Sequence, residues 1–498
     1  MTPGALRSLA ERAFKWSALT TAGRFVLQFV AQVVLARLLG PGNYGVYGIG
    51  LVVLTFAAFL SGNAFSYILM LQKEVDAEDV RFAFTWQLIA GVLCAGAMYA
   101  SAGWIASYFG DARIEHMVHW LAAACLLMAL AGPATCLLQR DLNFRVLGLL
   151  QMASYAAGYL VVGVPMALQG YGAQALAAAC VVQAAVALVG AFAARPHSIR
   201  PLLHHPLARD TLDTGRTVFL TNIVNWLLSN MDRIVIGRLL TTHAVGLYGV
   251  AYNIASIPNV LLVHAMQPTF LAAGARLQDE PQQLARVWLT VLACVLVLLT
   301  PAAVMMSLLA GDLVRVLYGS AWLDAGWVMA VLFLCVPAWA CLGLSTPVLW
   351  NTQRKHLEAA LQLPLLLLAL PAWWLLALHG GLHAVVFASA VLIFARAGVV
   401  VATCLAAFQM RGRELLPFAL RGVALGALAG AAVMAGRAAA APLGHPLLTL
   451  LAGAGTGAAV VAALVFARPQ VLGPEARGVL ARLLPGPRWA AAGPEVHP

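Results

Sequence analysis

The chain is 498 residues long, 62% apolar and only 10% charged, with 30 Lys and Arg against 19 Asp and Glu, for a net charge of +11. Soluble domains carry about 25% charged residues, so a string of soluble domains is excluded. The basic excess does not point to nucleic acid either, because the bases are dispersed between apolar segments and form no cluster with interleaved aromatics.

Three runs, Val146 to Ala194, Ala359 to Ala395 and Ala438 to Ala467, contain no Asp, Glu, Lys or Arg. Each exceeds the roughly 20 apolar residues a helix needs to cross roughly 30 Å of hydrocarbon, which predicts an all-α, multi-pass membrane protein. Breaks at charges and at Gly or Pro divide the chain into about 14 transmembrane helices. In order these are 16–37, 44–70, 82–107, 116–138, 146–168, 172–194, 217–239, 244–270, 287–310, 325–350, 357–378, 383–408, 415–437 and 442–467. Arg7, Glu11, Arg12 and Lys15 precede the first, and no small-residue cleavage site follows it, so it is not expected to be a removable signal peptide. The turns at Gly170-Tyr171-Gly172 and Gly380-Gly381 must reverse the chain within a few residues. All eight cysteines lie in apolar segments without metal or disulfide spacing and are read as small buried hydrophobes.

An even number of spans puts both termini on one side. If that side is cytoplasmic, 22 bases fall inside, five (Arg37, Arg113, Arg238, Arg315 and Arg437) fall outside, and Arg24, Arg233 and Arg396 lie within helices. The excess of inside Lys and Arg predicts both termini in the cytoplasm. Arg195 to Arg216, between helices 6 and 7, is the longest cytoplasmic connection.

A shift of 201 residues aligns Ala36–Gly48 (ARLLGPGNYGVYG) with Gly237–Gly249 (GRLLTTHAVGLYG), and seven of sixteen positions from Val33 to Gly48 are identical, among them Arg37/Arg238, Gly45/Gly246 and Tyr47/Tyr248. Six helices per repeat is an even number, so the two halves share one orientation about an axis along the membrane normal. The expected organisation is an N-lobe at 1–194 (helices 1–6), a linker at 195–216 and a C-lobe at 217–408 (helices 7–12). Helices 13 and 14, at 409–467, lie outside the repeat, and a cytoplasmic tail follows at 468–498.

The string ARLLGPGNYGVYG, the acidic QKEVDAEDVR after helix 2, SNMDRIVIGRLL through helix 7 and LYGSAWLDAG before helix 10 resemble the Wzx-type polysaccharide and O-antigen flippases. These belong to the multidrug/oligosaccharidyl-lipid/polysaccharide superfamily, and within it the chain is similar to the colanic-acid-exporter-like branch. The resemblance runs from about Glu11 to Phe408. It departs after helix 8, where Gln267-Pro268-Thr269-Phe270 stands in place of a Pro-Leu-Phe-Pro-like element. It implies two six-helix lobes around a central cavity, plus two C-terminal helices. It also implies alternating-access movement of undecaprenyl-diphosphate-linked oligosaccharide repeat units across the bacterial inner membrane, for exopolysaccharide or lipopolysaccharide biosynthesis. Partners would be the lipid-linked oligosaccharide, membrane lipids and the polysaccharide polymerase machinery, with no nucleic acid.

Polar residues at membrane depth are the candidate site. Helix 7 carries Asn222, Asn225, Ser229 and Asp232 at i, i+3, i+7 and i+10, one stripe on an apolar cylinder, and helix 1 carries Thr21, Arg24 and Gln28. The 201-residue shift pairs Thr21 with Asn222, Arg24 with Asn225 and Gln28 with Ser229, so both stripes are expected to face the pseudo-twofold axis. Asn and Ser also tie membrane helices together for roughly 1 kcal/mol each, so the amides alone do not distinguish packing from binding. A charged side chain at the centre of a span costs roughly 2.5–3.5 kcal/mol and calls for a cavity, a partner or a ligand. Arg24, Arg233 and Arg396 are therefore substrate-binding candidates, since guanidinium groups suit a diphosphate, and Asp232 is the candidate coupling group or a neutralising partner for an arginine.

No Walker, HExxH or GxSxG motif and no intramembrane carboxylate pair is present, so no enzyme activity and no cofactor are expected. His204-His205 and His379 with His383 have no Cys or paired carboxylate nearby in sequence, and no metal is expected there. Three alternatives remain. A lipid-II-type peptidoglycan precursor flippase would also use a basic cavity, and a cation-coupled drug antiporter of the same superfamily would need an acidic one. A membrane polymerase would need a large outside loop, whereas the longest here is about Gly311 to Asp324.

Overall fold

A computed structural model of the chain describes residues 3–61, 69, 75–205, 207–276, 280–352 and 356–483, with the backbone alone described at 3–15, 207–222 and a few shorter stretches. The described residues form helices and turns and no strand. Hydrocarbon offers the backbone no hydrogen-bond partner, and a helix satisfies every N–H and C=O within its own segment. Ten helices are long and apolar enough to cross a membrane, and the pair Ser320–Leu334 and Val336–Asn351, bent by 44°, makes an eleventh span.

Two of the ten are double. Helix 3–61 breaks at Gly40 (φ 70°, ψ 171°) and helix 356–407 at Gly381 (φ 60°, ψ −150°). A residue with a Cβ is strained at these angles, and glycine is not, so one residue serves as the corner between two spans. Those two divisions, with the helix Leu207–Leu239 added, give fourteen long helical segments among the described residues. In chain order they are α1 (3–39), α2 (41–61), α3 (Ala77–Phe109), α4 (Arg113–Arg140), α5 (Phe144–Leu168), α6 (Ala173–Ala194) and α7 (Leu207–Leu239). The rest are α8 (Thr242–Arg276), α9 (Pro281–Leu317), α10 (320–351), α11 (356–380), α12 (382–407), α13 (Leu416–Ala440) and α14 (Pro446–Ala467). The bend of α10 falls at Cys335, just before Pro337, whose missing N–H and ring favour the start of a new helical segment.

The chain folds into two compact units, Met1–Gly246 and Leu247–Pro498. In the first, α4 is central: Ile114, Met117, Val118 and Leu121 are buried, and Gly50 of α2 leaves room for Met117 and Leu121. Helix α5 packs on α1 where Gly148 meets Thr20 and Met152 meets Gly23. A π-helical turn widens α5 at Ala156–Gly163, and there the Tyr159 hydroxyl bonds the Tyr47 hydroxyl of α2 at 2.6 Å. Such wide turns often mark functional segments of a helix.

The segment after α6 is laid along the first turns of α3. Arg81 Nε and Nη2 donate to the Arg200 and Pro201 carbonyls (3.2 and 3.3 Å), the Leu202 amide donates to Thr85 Oγ1 (2.9 Å), and Trp86 Nε1 donates to the Leu203 carbonyl (3.2 Å). His197 sits between the rings of Phe84 and Phe192, each 5.2 Å away. This connection is therefore a strap bonded to α3 along its length.

In the second unit Trp288 and Leu292 of α9 pack with Leu344 and Val348 of α10 and Val400 and Cys404 of α12. The Trp288 indole N–H donates to Ser345 Oγ at 3.1 Å, which satisfies both polar groups inside the core. Helix α13 docks on α9 through Gly422, Gly426 and Gly430, which approach Leu296, Thr300, Val304 and Leu308. Small residues permit this closeness, the usual basis of helix packing in membranes. An Arg437–Asp312 ion pair of 2.8 Å ties the far ends.

Candidate functional site

Arg24 projects from α1, half-buried, and its Nη1 donates to Gln151 Oε1 of α5 at 2.7 Å. In the second unit Arg396 of α12 makes the same kind of bond, Nε to Gln362 Oε1 of α11 at 2.8 Å, with Gln362 only 3% exposed. An amide oxygen orients a guanidinium without cancelling its charge, as a carboxylate would. For Arg24 this leaves an oriented positive group within a helix long and apolar enough to cross a membrane, a setting suited to an anion.

The other candidates lie along α1 and α7. Gln28 is half-buried and Thr21 exposed. On α7, Asn225 and Ser229 are half-buried, and Ser229 Oγ donates back to the Asn225 carbonyl at 2.8 Å, so this hydroxyl is satisfied within its own helix. Asp232 is 4% exposed and its Oδ1 accepts the Arg233 backbone N–H at 2.8 Å; the Arg233 side chain is half-buried. The side chain of Asn222 lies outside the described residues. Gln151 and Gln362, which hold the two arginines, are absent from the sequence-derived set. The signal was available, because an amide inside a charge-free apolar run is itself a polar group at membrane depth.

Where α2, α4 and α8 begin, four polar residues converge. Arg113 donates from Nη2 to Asp111 Oδ2 at 2.7 Å, from Nη1 to Asn43 Oδ1 at 3.4 Å and from Nη2 to Thr242 Oγ1 at 3.4 Å, while Thr242 Oγ1 donates to Asp111 Oδ2 at 3.2 Å. Hydrogen bonding from the Arg113 guanidinium holds the Asp111 carboxyl below its usual range, against some desolvation. Beneath this knot lie two repeat-related glycines. A Cβ on Gly45 would fall on the Thr242 carbonyl, and a Cβ on Gly246 on the Pro41 carbonyl. The repeat identified these glycines as equivalents; the structure adds that they touch.

At the other end of α3, Asp76 caps the helix by accepting the Glu78 and Asp79 amides on Oδ1 (2.8 Å each), and Asp79 Oδ2 accepts the Asp76 amide (3.0 Å). These bonds, first of all the one from the Asp79 amide, lower the Asp76 pKa. The strap brings His205 Nε2 to 3.6 Å from Asp79 Oδ1. The carboxylates missing beside His205 in sequence are thus supplied by the fold, from residues far away along the chain.

The model of the family described as "Polysaccharide biosynthesis protein" matches residues 34–326, more than half of the chain. The chain belongs to this family. Among curated proteins it is 28% identical to the succinoglycan biosynthesis transport protein ExoT of Rhizobium meliloti over 67% of each chain. It is 23% identical to the lipopolysaccharide biosynthesis protein WzxC of Escherichia coli over 64% of this chain and 65% of that one. The matches thus span about two thirds of these relatives' lengths. Among solved structures it is similar to the lipid II flippase MurJ in an inward closed conformation, with a TM-score of 0.70 at 12% identity over 91% of this chain and 99% of that one. An inward-facing multidrug resistance MATE family transporter gives a TM-score of 0.63 at 14% identity over 77% of this chain and 94% of that one. The chain is a multi-pass membrane protein of the polysaccharide biosynthesis protein family, with a fold shared with these transporters.

Proposed function

We propose that the protein is a flippase that carries polyprenyl-diphosphate-linked oligosaccharide units across the plasma membrane by alternating access, with both termini in the cytoplasm. The observation that carries this reading is Arg24, a cation at membrane depth held in place by the neutral Gln151. A lipid diphosphate supplies the charge that such a group lacks, and Gln28, Asn225 and Ser229 are amides and a hydroxyl of the kind that bind sugar. The lipid tail can remain in the bilayer while only the head group crosses. The family membership and the names of the relatives support a polysaccharide precursor as cargo, whereas the shared fold with a lipid II flippase and a drug transporter bears on architecture alone.

The test is export of polysaccharide in cells whose own flippase is deleted. A charged hydrogen bond contributes about 2 kcal/mol, so Arg24→Ala should weaken cargo binding about thirtyfold and abolish export while the protein stays inserted. Arg24→Lys keeps the charge but loses the two-pronged geometry, and it should retain part of the activity. Full export by a stably inserted Arg24→Ala protein would refute the role.

A further inference from the structure

Between α2, α3 and α7 in the first unit lies an apolar groove of about 660 Å³, walled by Phe56 of α2, by Leu93, Ala97, Trp104 and Tyr108 of α3, and by Trp226 of α7 among others. Two polar groups on its wall already have partners in the protein. Ser101 Oγ donates to the Met98 carbonyl of its own helix, and Trp226 Nε1 donates to Thr55 Oγ1 of α2. One end differs. There Trp104 stacks on Tyr108 at 5.7 Å, and the exposed Arg238 guanidinium lies 5.0 Å from the centre of the Tyr108 ring. Tryptophan, tyrosine and arginine together at a helix end mark the membrane interface.

We propose that this groove binds the hydrocarbon tail of a polyprenyl phosphate lipid, with its phosphate at Arg238. The length of the groove favours a polyprenyl tail over the acyl chain of a bulk phospholipid. Along α3 the wall runs from Leu93 to Phe109, which at 1.5 Å per residue is about 24 Å. One leaflet of hydrocarbon is about 15 Å deep. An acyl chain belongs to one leaflet, whereas a long polyprenyl chain passes the midplane and covers the whole wall. The charge agrees: Arg238 at the mouth is a cation, and it can hold a phosphate while its flat face remains on Tyr108. Water cannot occupy such a wall favourably, and among the described residues no side chain of the first unit fills it. The identity of the lipid rests on the flippase reading, and the site itself rests on the groove.

The experiment uses the full chain in nanodiscs of phosphatidylethanolamine and phosphatidylglycerol, with a diazirine-tagged undecaprenyl phosphate as probe. Light should attach the probe to peptides covering 93–109 and 226–234. Excess untagged undecaprenyl phosphate should remove the label, and equal excess phosphatidylglycerol should not. Ala97→Trp, and separately Leu93→Trp, place a large ring in the groove and should cut labelling about tenfold. Arg238→Ala should weaken capture of the phosphate probe several-fold and leave capture of a tagged polyprenol, which has no phosphate, unchanged. Labelling confined to other helices, or equal competition by phosphatidylglycerol with the unmodified chain, would overturn the proposal whether or not the variants fold. Groove labelling by a protein that fails to export polysaccharide would sink the flippase reading and leave the tail site standing. Export by a protein that is never labelled there would do the reverse.

Discussion

Arg24 and Arg396 each meet a glutamine across a helix pair, and the neutrality of that partner matters more than the bond's strength. Hydrogen bonds between membrane helices contribute roughly 1 kcal/mol, too little for Gln151→Leu to unfold the protein. Gln151→Glu is the more telling change. It keeps the size and the contact but places a carboxylate 2.7 Å from the guanidinium, so an ion pair forms in a medium of low dielectric and competes with the anionic cargo. Export should fall by at least about tenfold, with thermal stability equal to or above that of the unmodified protein. Gln151→Leu should lose less export, because the charge stays available and only its orientation is relaxed. If Gln151→Glu transports as well as the original, Arg24 does not act through its charge.

The strap and the glycine crossing belong to whole elements. His197 is wedged between Phe84 and Phe192, its Nε2 is buried without a partner among the described residues, and burial lowers its pKa below the ordinary 6.5. A folded pKa that is depressed means the contribution is fully present above about pH 6.5 and is lost as the pH falls through the lower, folded value. Amide exchange at 198–205, corrected for its intrinsic pH dependence, should therefore rise on acidification, and His197→Phe should abolish the rise while keeping the ring contacts. The contact of His205 with Asp79 at 3.6 Å is left intact by this substitution. At the crossing of α2 and α8, Gly246→Val puts side-chain atoms where the Pro41 carbonyl lies. Cross-linking between Asn43→Cys and Thr242→Cys should drop in that background, and export should drop with it; unchanged cross-linking would show that the helices part at no cost.

What the sequence made legible at this scale follows from charge and backbone geometry. Long charge-free runs marked the spans, Gly170-Tyr171-Gly172 and Gly380-Gly381 marked two of their corners, and Arg24 stood out because a charge inside a span needs a reason. Gln151 did not stand out, since an amide in an apolar helix serves packing as readily as binding. The groove left no trace, because Leu93 and Ala97 lie on a helix that is apolar all round, and such a helix shows no period that separates a lipid-facing side from a protein-facing one. Asp79 and His205 are brought together only by the path of the strap.

Across the whole molecule, the fourteen spans fix a relation that one set of measurements can test. An even number of crossings would put both termini on one side, and Gly45 and Gly246 lie at one face of the membrane, as their contact in the first unit requires. That face carries the Asn43, Asp111, Arg113 and Thr242 knot, where one of the few bases is already neutralised by an aspartate at 2.7 Å. At the other end of α3 lie Asp76 and the strap. Positive residues resist translocation, so the knot is expected outside and the strap inside. Reporter domains that work only outside the cytoplasm should be active when fused at Gly42, Gly170, Gly319 and Gly380, and silent at Asp76, His204 and Pro469. Gly170 and Gly319 sit in turns with positive φ, and Gly380 adjoins the Gly381 corner, so these sites interrupt no span. Strong activity at His204 would place the strap outside and overturn the proposed orientation, leaving Arg24 and its glutamine to meet a cargo from the wrong side.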